Sequence, residues 1–163
     1  MTVVSVERDY DSLSLTLVAD FDAPIERVWQ LWSDPRQLER WWGPPSHPAV
    51  VEKHDLATGG EVTYVMIGPG GEKSRGWWRV TSVDPPRSLA FTDGFANQDG
   101  TPNAGMPTHA VQMRLTEHDG GTRMQLRFNF ESSEHMEQLE RWGALEVFPQ
   151  SVGQMDALLA LHN

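Results

Sequence analysis

The 163-residue chain contains no cysteine. Thiol catalysis, Cys-type zinc sites and disulfide bridges are thereby excluded, and the composition fits a reducing cytoplasm, which is the expected location. Lysine is confined to Lys53 and Lys73, and 13 basic residues face 23 acidic ones, for a formal charge of −10. Such a surface repels phosphate backbones and anionic lipid, so no nucleic-acid partner and no membrane partner is expected. No apolar run approaches the roughly 18 residues of a membrane span. The stretch from Met1 to Tyr10 carries Glu7 and Asp9 and lacks the apolar centre of a signal peptide. Nucleophile-elbow, HExxH and phosphate-loop patterns are missing too. Gly68-Pro69-Gly70-Gly71 has no lysine to cradle a phosphate and reads as a hairpin turn. The histidines at 47, 54, 109, 118, 135 and 162 form no HxH or HxxxH spacing, so neither a metal nor a cofactor is expected.

What is present is a foldable composition, with 39% hydrophobic and 22% charged residues, seven tryptophans and eleven prolines. At 18.4 kDa, residues 1–163 are expected to form a single domain. Leu13, Leu15 and Leu17 alternate with serine and threonine, the pattern of a half-buried strand. Asp22-Ala23-Pro24 then starts a helix whose Ile25, Val28, Trp29 and Trp32 share one face. Asp34-Pro35 starts a second short helix, expected to carry Leu38, Trp41 and Trp42. Strand periodicity dominates from there to residue 131. Candidate strands surround Val50-Val51, Val62 to Met66, Arg75 to Val83, Leu89 to Phe91, Val111 to Leu115 and Arg123 to Phe130. Asp119-Gly120-Gly121 joins the last two as a hairpin. Ser132-Ser133 caps a final helical stripe of Met136, Leu139, Trp142, Leu145, Val152, Met155 and Leu158, which Pro149 is expected to kink or divide.

Strands in one block with helices around them predict an α+β fold. Several separated stretches carry a family resemblance. Phe21 to Trp29, Asp34-Pro35, Trp41-Trp42-Gly43-Pro44, Val83 to Leu89, Asp119 to Met124 and Met155 to Leu159 resemble the SRPBCC (START-like, helix-grip) superfamily, in the branch of the activator of Hsp90 ATPase homologues. The resemblance implies a curved antiparallel sheet of six to seven strands around a long C-terminal helix. It also implies two short helices after the first strand and a cavity between sheet and terminal helix. Glu146 to Gln150 departs from the family pattern, with Phe148 and Pro149 in place of an uninterrupted helix.

Function is less legible, because this fold hosts carriers, receptors, cyclases and co-chaperones. The leading expectation is a hydrophobic or amphipathic small-molecule ligand. Its expected pocket is lined by Trp42, Tyr64, Trp78, Phe91, His109, Met113, Phe128, Phe148 and Met155. Adjacent tryptophans constrain this set: only one of Trp77 and Trp78 can face the helix side, and the other belongs to the convex face as a candidate partner surface. Trp41 and Trp42 are expected to diverge likewise, one inward and one at the cavity mouth. His109 shares a face with Val111, Met113 and Leu115 and reads as a packed core histidine before a catalytic base. Asp93 follows Leu89 and Phe91 on one face but sits near a loop, where solvation accounts for it. Two alternatives stand beside ligand binding. One is a protein-interaction module like the Hsp90 co-chaperone, with a protein partner; the other is a cyclase or dehydratase using His109, Tyr64 or Asp93 as acid or base.

Overall fold

A computed structural model describes residues 3–160. Eight strands form one antiparallel sheet: β1 (Val3–Asp9), β2 (Ser14–Phe21), β3 (Ala49–His54), β4 (Glu61–Ile67), β5 (Lys73–Asp84), β6 (Ser88–Ala96), β7 (His109–His118) and β8 (Gly121–Phe130). Their order across the curved sheet is β1-β2-β8-β7-β6-β5-β4-β3. Two helices, α1 (Ile25–Ser33) and α2 (Pro35–Leu38), carry the chain from β2 to the opposite edge at β3. Three more follow the sheet: α3 (Ser133–Arg141), α4 (Ala144–Gly153) and α5 (Met155–Ala160). The fold is α+β and of the helix-grip type.

Side-chain alternation explains the layering. Every second residue of β7, from His109 through Val111 and Met113 to Leu115, is buried, and its neighbours are exposed. Leu15, Leu17, Ala19 and Phe21 of β2 and Met124, Leu126, Phe128 and Phe130 of β8 extend the same inner face. A sheet with one apolar face requires a cover, which the helices supply. Ile25, Val28, Trp29 and Trp32 press α1 onto it, and Met136, Leu139, Leu145, Val152, Met155 and Leu159 do so for the C-terminal helices. All belong to one continuous hydrophobic cluster. Gln154 ties the α4–α5 junction to the loop after α2, donating to the Gly43 carbonyl at 2.8 Å. Arg27 ties α1 to α5 through the Leu158 carbonyl at 3.2 Å.

Three expectations are corrected. Eight strands replace six to seven, and the helix pair follows the second strand. β1 escapes sequence reading because it is an edge strand, mostly exposed and charged, with no clean alternation. The terminal helix is not one long rod. It stops at Trp142 and restarts beyond Gly143, whose φ of 76° is a left-handed helix-ending conformation natural to glycine. Pro149 does not mark a break. It lies inside α4, in the second turn after the restart, where its missing N–H forfeits a single helical hydrogen bond. Finally, α2 ends at Leu38, and Trp41 and Trp42 lie beyond it. The divergence expected of a helix therefore does not apply, and both rings are buried. His162 lies outside the described residues.

Because α4 and α5 cover the inner face directly, shortening the chain is costly. A variant ending at Val147 loses Val152, Met155 and Leu159 from the core and is expected to lack cooperative thermal unfolding by circular dichroism. The milder Met155→Ala is expected to cost about 2–5 kcal/mol in urea unfolding.

Candidate functional site

The inner face of the sheet is largely apolar, but one row of it gathers several buried ionisable groups. Asp93, on β6, follows Leu89 and Phe91 inward and is only 7% exposed. The expectation of a solvated carboxylate is thus corrected: the inward phase of the strand persists through Asp93 and is lost only at Phe95. Directly across the ladder from Asp93 stands His109 of β7. Its Nε2 lies 3.1 Å from Asp93 Oδ2. The angle is too poor for a hydrogen bond, so both imidazole nitrogens remain without a bonded partner. The other carboxylate oxygen is satisfied: the Tyr64 hydroxyl donates to Oδ1 at 2.8 Å.

Tyr64 is on β4 and Asp93 on β6, so the phenol must cross β5. Gly76 makes this crossing possible. It pairs with Tyr64 in the ladder, and a β-carbon there would overlap the phenol ring and hydroxyl. Burial above all, and then the Asp93 carboxylate, hold the Tyr64 phenol well above the ordinary tyrosine pKa. A fourth group closes the row: His135 of α3 stands 6.2 Å from His109, centroid to centroid, and meets Phe130 edge-on. Its nitrogens are also unpartnered. Burial, followed by the repulsion of His109, lowers its pKa below the usual imidazole value, with Glu131 opposing.

Above this row lies a void of ≈ 70 Å³ between sheet and α4. Trp42, Tyr64, Phe128 and Phe148 wall it, Asp93 supplies its polar corner, and Ser151 and Val152 of α4 close it. Phe148 stacks on Phe128, with centroids 4.2 Å apart and planes 10° from parallel. The row and the void bring together five of the nine residues expected from the sequence: Trp42, Tyr64, His109, Phe128 and Phe148. The other four stand elsewhere. Trp78 is fully buried, stacked on Phe91 at 3.9 Å and edge-on to Trp42 at 4.8 Å. Met113 and Met155 fill the core. These four support the walls without facing the void.

Sequence reasoning also missed members. Trp41 lines the void beside Trp42, since both fold inward beyond α2. Leu126 and Val152 were legible as inward positions by period, whereas nothing in the local sequence marks Ser151. Trp77 does face outward, but the expected exposed patch is corrected to a half-buried ring. It lies across Gly94 and donates its indole N–H to the Phe95 carbonyl at 3.0 Å. Among the described residues no group of three His, Asp or Glu is placed to hold a metal ion.

A curved antiparallel sheet covered by C-terminal helices is the geometry of a helix-grip protein. A model of the family described as activator of Hsp90 ATPase homolog 1-like protein matches residues 22–160. The chain belongs to this family. Among solved structures it is similar to protein Ms6760 from Mycobacterium smegmatis, at 49% identity over 96% of each chain, with a TM-score of 0.88. A protein from Arthrobacter aurescens is 44% identical over 98% of this chain and 92% of that one, with a TM-score of 0.93. The AHSA1 protein from Silicibacter pomeroyi is 27% identical over 92% and 99%, with a TM-score of 0.72. No curated protein matches the chain. Among the described residues no helix is long and apolar enough to cross a membrane.

Two outcomes follow from the row's geometry. Tyr64→Phe leaves a buried carboxylate oxygen without its donor and is expected to cost about 1–3 kcal/mol in urea unfolding. Gly76→Ala, which removes neither polar group but sets a β-carbon against the Tyr64 ring and hydroxyl, is expected to lower stability as well, by displacing the phenol. The second outcome concerns pH. His135 binds a proton less readily folded than unfolded, so its contribution is complete above the unfolded value near 6.5 and is lost as pH falls below it. Stability measured from pH 7.5 to 5 is expected to decline, and His135→Phe is expected to flatten that slope.

Proposed function

We infer that the protein binds a small, largely apolar molecule in the void between the sheet and α4. The supporting observation is the pairing of four aromatic walls with a single buried carboxylate. Ligand sites are typically apolar enclosures with few polar groups. Interiors normally close such gaps with side chains. At ≈ 70 Å³ the void is well below the roughly 300–1,000 Å³ of a drug-sized site. Binding therefore requires Phe148 to move. Its position suits this, being only partly buried on a short helix that begins beyond Gly143.

A second reading, acid–base catalysis, rests on the same row, because a phenol and an imidazole flank one carboxylate. Loss of turnover in His109→Ala with ligand affinity preserved would favour it over simple binding.

A thermal-shift screen of fatty acids, flavonoids, sterols and aromatic polyketides, read alongside tryptophan fluorescence, tests the binding reading. Ligands of the void are expected to raise the melting temperature by mass action. Phe148→Ala is expected to change affinity more than stability, whereas Trp78→Phe, in the core, is expected to change stability. If no compound shifts either the wild type or Phe148→Ala, the interaction-module alternative takes the place of ligand binding.

A further inference from the structure

The charge of the pocket narrows the class of ligand. Among the described residues lining the void, Asp93 is the only ionisable carboxylic acid, and no lysine or arginine joins it. The remaining surfaces are the rings of Trp41, Trp42, Tyr64, Phe128 and Phe148, with aliphatic groups and Ser151 between them. A fatty acid or other anion would thus bring its charge against a buried carboxylate with no cation to receive it, and the whole protein carries −10 besides.

An organic cation meets the reverse situation. Aromatic faces attract cations through their ring quadrupoles, most strongly where water is excluded. An ionised carboxylate offers about four lone-pair positions. At Asp93, Tyr64 occupies one of them by donating to Oδ1, and His109 approaches Oδ2 without aligning to donate. Acceptor capacity therefore remains at the polar corner of the void. The titratable groups around it are Tyr64, His109 and, behind His109, His135. None is a fixed cation. Resting on the binding reading above, we propose that the ligand is a protonated amine on an apolar, aromatic body. Its ammonium group donates to Asp93 Oδ2 inside the cage of Trp42, Tyr64 and Phe128. Its ring takes the place of Phe148 against Phe128.

Three isosteric probes separate this from generic apolar binding: 2-phenylethylamine, 2-phenylethanol and phenylacetate, each titrated calorimetrically into the full chain at pH 7.5. The amine is expected to bind at least about tenfold more tightly than the alcohol, and the alcohol more tightly than the carboxylate. Phe148→Ala is expected to tighten amine binding, and Asp93→Asn to erase the difference between amine and alcohol. Equal binding of amine and alcohol to the wild type overturns the amine proposal and leaves the apolar pocket standing. Tighter binding of phenylacetate overturns it too. If none of the three binds the wild type or Phe148→Ala, and the broader apolar screen is also negative, both readings fall together. Should Asp93→Asn not fold, the ranking of the three probes on the wild type and on Phe148→Ala still decides.

Discussion

One aromatic cluster joins the layers of this protein, and the rest of the structure depends on it. Trp32 of α1 meets Trp41 at 4.7 Å and Trp78 of β5 at 6.2 Å. Trp42 packs edge-on against Trp78, which stacks on Phe91 of β6. Each ring removes a large apolar area from water, and edge-on pairs add about 0.5–1.5 kcal/mol beyond that area. The cluster fastens the α1–α2 crossover to the middle of the sheet. Trp41 ties the crossover to itself by donating its indole N–H to the Leu31 carbonyl of α1 at 2.8 Å. Because the crossover is pinned here, Trp42 can present its other side to the void. The abundance of tryptophan thus serves the framework first and the pocket second.

Against so apolar an interior, the row of Tyr64, Asp93, His109 and His135 is costly to keep. Buried polar groups are tolerated when hydrogen-bonded and penalised when not. Asp93 is partly compensated, by the hydrogen bond from Tyr64. The imidazole nitrogens of His109 and His135 are not, nor are Ser151 Oγ and the indole nitrogens of Trp32, Trp42 and Trp78. Of these uncompensated groups, Trp42 and Ser151 line the void, which sets it apart from the other end of the core, where Ala19, Met124 and Leu115 adjoin across β2, β8 and β7.

α4 is accordingly the element on which pocket size depends. It is held at one end by the α3 terminus at Gly143 and at the other by Gln154, whose side chain reaches the Gly43 carbonyl. Arg8 of β1 adds charged contacts to Glu140 at 3.1 Å and Glu146 at 2.8 Å. Surface pairs of this kind contribute about 0–1 kcal/mol each. α4 is thus anchored at its ends, while its middle, bearing Val147, Phe148 and Pro149, is only partly buried.

Local period by itself determined the α+β class, seven of the eight strands, both early helices and the alternation within most of those strands, but not which of Trp77 and Trp78 turns inward. It did so because period-two and period-3.6 burial are written residue by residue along the chain. The same reading put Tyr64, His109 and Phe128 on buried strand faces and named Trp42 and Phe148 beside them as pocket residues without a period to place them. β1 left no such trace, since an exposed edge strand has no buried side to repeat. Tertiary structure alone decided that Asp93 is buried and that Tyr64 reaches it across Gly76. It alone decided that Trp78, Phe91, Met113 and Met155 stand behind the pocket and that the terminal helix divides at Gly143 instead of Pro149. Each of these depends on register between strands distant in sequence, or on the depth at which a covering helix settles. Such relations arise only when separate stretches of chain meet, and no spacing within one stretch encodes them.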